Sequence, residues 1–111
     1  MLNNWLKEFS AAVTVCDLNG NIIEMNDKSA EVFKDDGGYQ LIGKSLFDCH
    51  SDNSVEIIKD LLADKSVNVY TIEKNGIKKL IYQSPWYENG ELKGLVELSL
   101  IIPFDMPHHK R

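Results

Sequence analysis

The sequence has few of the features that mark cross-linked, membrane-spanning or nucleic-acid-binding proteins. Its only cysteines, Cys16 and Cys49, lie far apart and outside any CxxC motif, which argues against a disulfide framework or a zinc site. No run approaches the roughly 18 consecutive apolar residues that a membrane-spanning helix needs. The formal net charge of −5 disfavours nucleic acid as a partner, because nucleic acid attracts basic surfaces.

Catalytic motifs and targeting signals are also missing. There is no Ser/His/Asp set, no glycine-rich phosphate loop and no pair of carboxylates at a diagnostic spacing. We therefore expect a protein that is not an enzyme. The first nine residues are polar and include Lys7 and Glu8, which does not suit a signal peptide, so we expect a cytoplasmic location.

The length and composition suit one compact domain. With 111 residues, 43% hydrophobic and 26% charged, the chain can build a single core and keep a polar surface. We expect a short amphipathic helix within residues 1–9, a domain at 10–102 and a loose tail at 103–111.

Three Asn-Gly pairs predict the strand order. Asn-Gly between apolar runs favours a type I′ turn, which needs positive φ at both central residues and joins two antiparallel strands. The pairs are Asn19-Gly20, Asn75-Gly76 and Asn89-Gly90. The strands that they join are expected at residues 11–18, 22–25, 67–73, 77–86 and 92–102. The prediction is an α+β fold with a five-stranded antiparallel sheet and helices inserted between strands 2 and 3.

The helical insert has two recognisable parts. Asn26 or Asp27 is expected to cap a short helix that the pair Gly37-Gly38 ends. The clearest helical period in the chain follows later, with apolar side chains at Val55, Ile58, Leu61 and Leu62.

Several local motifs occur in this order and resemble those of the PAS family of sensory domains. They are VTVCDLNGNII at residues 13–23, then Asn26, Ala30 and Phe33, LIGKSLF at 41–47, and GELKGLV at 90–96. The resemblance spans roughly residues 9–102 and implies a PAS fold with a cavity between the sheet and the helical insert. It implies a stand-alone sensor that binds a small molecule and signals through another chain, or, alternatively, a ligand-free dimerisation module.

Five polar residues are the candidates for contact with a ligand in that cavity: Asn26, His50, Tyr70, Tyr82 and Ser84. Strand alternation places Tyr82 and Ser84 on one face with Leu80, and two hydroxyls over an apolar floor suit a small organic ligand if that face points inward. His50 precedes the longest helix, and haem-binding members of the PAS family use a His near this helix as the iron ligand, so the resemblance implies haem ligation as a further alternative. A lone His equally suits a helix start bonded to backbone, and haem is therefore not favoured; the cofactor stays unknown.

An apolar stripe near the N-terminus predicts contact with a second copy. Trp5, Leu6 and Phe9 share one face of the first helix, and Leu95 and Ile101 are expected on an outer face of the last strand. Together they predict a homodimer interface, with packing of the helix on its own sheet as the alternative.

Overall fold

The computed structural model describes residues 4–46 and 52–111 and has a five-stranded antiparallel sheet covered on one side by helices. The strands are β1 (Ala12–Asp17), β2 (Ile22–Met25), β3 (Asn68–Lys74), β4 (Ile77–Glu88) and β5 (Glu91–Ile102). Their order across the sheet is β2-β1-β5-β4-β3, so the last strand lies in the middle. The predicted fold class is confirmed.

The helices lie at the N-terminus and between β2 and β3. They are α1 (Asn4–Lys7), α2 (Asp27–Val32), two short 3₁₀ turns (Lys34–Asp36 and Gly38–Leu41) and α3 (Asp52–Asp64). The described part of the first helix is a single turn that ends at Lys7. Among the described helices, none is long and apolar enough to cross a membrane.

Two of the three Asn-Gly pairs form the predicted turns. Asn75-Gly76 and Asn89-Gly90 have positive φ at both residues, with φ of 54° and 76° in the first pair and 54° and 79° in the second. Left-handed backbone at both central positions is the requirement of a type I′ hairpin turn. These turns join β3, β4 and β5 as a meander.

The first Asn-Gly pair has a different geometry, so the type I′ prediction is wrong there. Only Gly20 of the pair has positive φ, at 81°, and its N–H donates to the carbonyl of Asp17 at 3.1 Å. The Asp17 carboxylate accepts hydrogen bonds from the N–H groups of Asn19 and Asn21, each at 2.9 Å. A side chain thus organises this turn, which still joins β1 to β2.

Strand register assigns every sheet residue to one of two faces. Thr14 pairs with Glu97 and Cys16 with Leu95, and Gln83 pairs with Glu97 from the other side. Thr14 contacts α2, so these residues lie on the face that the helices cover, here called the inner face. The core lies between this face and the helices and contains Cys16, Ile22, Met25, Leu41, Leu46, Ile58, Leu61 and Leu95.

The inner face also contains Leu95 and Ile101, which corrects the predicted dimer interface. Leu95 is 2% exposed within the core, so it is not available to a second copy. Ile101 shares its face but is 58% exposed. Alternation along β5 correctly predicts that Leu95 and Ile101 share one face of the strand. Both faces are partly apolar, however, so the strand alone does not reveal which face the helices cover.

A buried amide connects the sheet to the helices. Asn26 is fully buried and caps α2, with its Oδ1 accepting from the N–H of Ser29 at 3.0 Å and from the N–H of Val13 at 2.9 Å. Its Nδ2 donates to the carbonyls of Ala11 at 2.8 Å and Leu6 at 3.1 Å. An Asn amide offers two donors and an oxygen with two lone pairs, so its bonding capacity is fully used.

We expect Asn26→Ala to lower the free energy of unfolding by about 3 kcal/mol, because a helix cap is lost and buried backbone groups lose their partners. Chemical denaturation measures the change. The control is Asn19→Ala in an exposed turn, which should change stability by less than about 0.5 kcal/mol. Equal effects in the two variants would contradict this role of Asn26.

Close approach of β1 and β5 predicts a strict requirement for glycine at one position. A Cβ at Gly94 would lie 1.9 Å from the carbonyl oxygen of Cys16, which also accepts a hydrogen bond from Trp86 Nε1 at 3.0 Å. Gly94→Ala should therefore cost about 3 kcal/mol or more of stability. Gly90→Ala meets no atom within 4 Å and should cost only the roughly 1–2 kcal/mol of its positive φ. Similar thermal shifts for both variants would count against the steric explanation.

Candidate functional site

A cavity of about 210 Å³ lies between α2 and the inner face of the sheet. Its lining comes from β1 (Ala12, Thr14), α2 and the residue after it (Val32, Phe33), β3 (Tyr70, Ile72), β4 (Lys79, Ile81) and β5 (Glu97, Ser99). Most of the surface of the cavity is apolar, although half of its ten lining residues carry a polar group, and a mainly apolar surface with polar groups is usual for a small-molecule site.

Small side chains on the sheet leave this space open. Ala12, Thr14 and Ser99 form part of the floor, where longer residues would reach α2. The chain then turns back against α2 at Gly38, whose φ is 56°, and a Cβ there would lie 3.3 Å from the carbonyl oxygen of Ala30. The short helix and its tight exit thus set the height of the cavity.

A row of polar side chains crosses the inner face at one end of the cavity. Asn68 Nδ2 donates to Gln83 Oε1 at 3.0 Å, and Gln83 Nε2 lies 3.4 Å from Glu97 Oε1. Gln83 is buried, so its amide has a fixed orientation and holds the Glu97 carboxylate beside the cavity. Sequence reasoning misses Glu97, although it is the charged residue in the β5 set that also contains Leu95, Ser99 and Ile101.

Tyr70 supplies a hydrogen-bond donor next to that carboxylate. Burial raises the pKa of its phenol, and the negative charge of Glu97 raises it further. The phenol therefore stays protonated at neutral pH. The cavity offers a ligand one anionic acceptor and one neutral donor.

A hydroxyl pair lies on the other side of Glu97, where the same row of polar side chains reaches β1. Thr14 Oγ1 and Ser29 Oγ lie 2.5 Å apart and are both buried, which joins β1 directly to α2. Either oxygen can donate in this pair. Because the hydroxyls satisfy each other, this pair serves to fix the distance between helix and sheet.

Of the four predicted ligand contacts that lie within the described residues, only Tyr70 lines the cavity. Tyr82 pairs with Leu98 and Ser84 with Val96, which places both on the outer face, away from the helices. Because this face points away from the cavity, the prediction that Tyr82 and Ser84 contact a cavity ligand is wrong. Asn26 is also excluded, because its amide is fully used within the protein. His50 lies outside the described residues, and its role stays a prediction.

The described residues hold no group of three His, Cys, Asp or Glu side chains that could bind a metal ion. Cys16 reaches the inner face but is buried in the core, and this burial raises the pKa of its thiol to about 11. The thiol therefore stays protonated at neutral pH, which leaves it a poor nucleophile and a poor metal ligand.

An open groove continues from the cavity toward the N-terminal segment. Its volume is about 570 Å³, and it shares Val32, Lys79 and Ser99 with the cavity. Phe9 and Ile101 line its outer part. The cavity alone is smaller than the roughly 300–1,000 Å³ of typical ligand pockets, and the groove extends the available space into that range.

No family model matches the chain, and a search of curated proteins finds no significant match. Among solved structures, the sensory box sensor histidine kinase from Vibrio cholerae has a TM-score of 0.67 at 14% identity, over 89% of this chain and 87% of that one. The PAS domain of the histidine kinase ThkA has a TM-score of 0.68 at 17% identity, over 82% and 98%.

A PAS domain from Colwellia psychrerythraea has a TM-score of 0.65 at 21% identity, over 88% of this chain and 91% of that one. Identities this low show the fold and not the ligand or the partner. The resemblance seen in the sequence motifs and the arrangement of sheet, insert and cavity agree on one architecture: this chain has the PAS fold.

Proposed function

We propose that this protein is a sensory PAS domain, not an enzyme, which binds a small organic molecule in the cavity and signals through contacts with another protein. The observation that supports this most is the mostly apolar cavity with the Glu97 carboxylate and the Tyr70 phenol at its edge. The structural similarity to PAS domains of sensor kinases supports a signalling role.

The position of the cavity suits the transmission of a signal along β5. Glu97 and Ser99 contribute to the lining, and β5 ends at Ile102 only three residues after Ser99. A ligand that contacts α2 and β5 together would favour one spacing of these elements over others. Only such a difference in affinity between two arrangements can shift their populations.

We expect Ser99→Phe to fill the junction of cavity and groove and to weaken binding of the neutral apolar dye 1-N-phenylnaphthylamine at least tenfold. Fluorescence titration measures the affinity. The matched control is Ser84→Phe, a half-buried serine at the outer face of the same sheet, which should leave binding unchanged. Equal dye binding by wild type and Ser99→Phe, with both folded by circular dichroism, would contradict a ligand site in this cavity.

We also infer that the N-terminal segment contacts a second copy of the chain. Trp5 is 66% exposed and Phe9 is 46% exposed, and their rings pack edge to face with centroids 5.9 Å apart. Lys7 Nζ lies 3.0 Å from the Asp27 carboxylate, and the Leu6 carbonyl accepts from Asn26, so the aromatic pair is held in place. A fixed and exposed aromatic pair suits an interface.

Trp5→Ala should raise the dissociation constant of the homodimer at least tenfold, because it removes the largest exposed apolar side chain of this segment. Sedimentation velocity over a range of concentrations reports the change. Tyr87→Ala removes an aromatic ring that is 48% exposed elsewhere on the sheet and should have no effect. A wild-type chain that stays monomeric at the highest concentration would refute the dimer.

A further inference from the structure

One lysine on the inner face lies in the middle of four isoleucines. In the strand register, Lys79 pairs with Ile72 on β3 and with Ile101 on β5, while Ile77 and Ile81 flank it on the same face of its own strand. We call these four residues the isoleucine patch. Three of them are at least 40% exposed, at 40%, 42% and 58% for Ile72, Ile77 and Ile101. Exposed apolar side chains grouped in this way suit a binding surface.

The ammonium group of Lys79 has no partner within the described residues. The side chain is half buried, yet no hydrogen bond or ion pair in residues 4–46 and 52–111 involves it. A partly desolvated charge without a partner is unfavourable, and an anion placed beside it would compensate this cost. The patch thus combines an apolar surface with one uncompensated positive charge.

A second lysine faces the same space from the opposite wall. Lys34, just after α2, lines the groove and likewise has no ion pair among the described residues. Lys28 and Glu31 also line it, but they pair with each other at 3.7 Å and largely cancel. The groove is therefore locally positive in a chain whose formal net charge is −5.

The far end of the cavity has the opposite charge. Glu97 pairs with Gln83, which lies four residues from Lys79 along β4, so the two charged positions are roughly 13 Å apart along the strand. Both Glu97 and Lys79 line the cavity, and the space between them is bordered mainly by apolar side chains. A bound anion would thus be attracted to one end and repelled from the other.

We propose that the site takes a free amphipathic monocarboxylate with an unbranched chain of medium length. Its carboxylate lies between Lys79 and Lys34 in the groove, and its apolar chain enters the cavity beside Ile81 and points toward Glu97. An extended chain of roughly ten carbons covers this distance, given C–C bonds of about 1.5 Å. This proposal rests on the proposed ligand-binding function and adds the chemical class and orientation of the ligand.

Calorimetric titration tests the chemical class of the ligand with three probes of equal chain length. The probes are decanoate, decanol and decylamine, each below its micelle concentration. We expect decanoate to bind at least tenfold more tightly than decanol or decylamine. Lys79→Met, which keeps the apolar stem and removes the charge, should weaken decanoate at least fivefold and change decanol less than twofold. Lys78→Met is the matched control, because Lys78 is the half-buried neighbour on the outer face, and it should change neither affinity.

Lys34→Met provides a second variant in case Lys79→Met does not fold, and it should weaken decanoate in the same direction. Equal affinity of decanoate and decanol, or unchanged decanoate binding in both lysine variants, overturns the carboxylate assignment. If the lysine variants lose binding of all three probes, the carboxylate assignment is overturned as well. The dye titration with Ser99→Phe distinguishes these failures from failure of the proposed function, because that dye is uncharged and its binding does not require the charge of either lysine.

Discussion

The arrangement of sheet and helices depends on the side-chain amide of Asn26. Its four hydrogen bonds reach α1 through Leu6, the approach to β1 through Ala11, β1 itself through Val13, and α2 through Ser29. Buried polar groups stabilise a structure only when they are fully paired, and then they also make it specific. Because this amide fixes α2 against β1, it also sets the width of the cavity between them. The same saturation removes Asn26 from any direct contact with a ligand.

The central strand β5 connects the core, the cavity and the groove in sequence order. Its inner-face residues begin with Leu95 in the core, continue with Glu97 and Ser99 at the cavity, and finish with Ile101 in the groove. Exposure rises from 2% at Leu95 to 58% at Ile101 along only seven residues. One strand therefore passes from the buried core to the exposed groove. This makes β5 the element most suited to couple the core to that surface.

Sequence reasoning predicted the features that local chemistry determines. The turns at Asn75-Gly76 and Asn89-Gly90 follow from backbone preferences of those two residue types, and the meander of β3, β4 and β5 follows from these turns. The first Asn-Gly turn differs because the Asp17 carboxylate competes for its N–H groups. The outer face of β5 was misassigned and the inward direction of the Tyr82 face of β4 was only a condition, since both strands are partly apolar on both faces and only the packing of α2 against β1 identifies the inner one. Tyr82 and Leu95 illustrate this limit from opposite sides of the sheet, because the outer-face position of Tyr82 and the core position of Leu95 both depend on this long-range packing.

Polar residues on the inner face divide according to whether the fold uses their hydrogen-bonding capacity. Asn26 is fully used, and Thr14 and Ser29 satisfy each other, so these residues hold the architecture. Lys79 is the opposite case, because an apolar residue would fit better among four isoleucines if packing alone decided the position. At this position, the proposed anionic amphiphile would supply both a partner for the charge of Lys79 and apolar contact within the cavity.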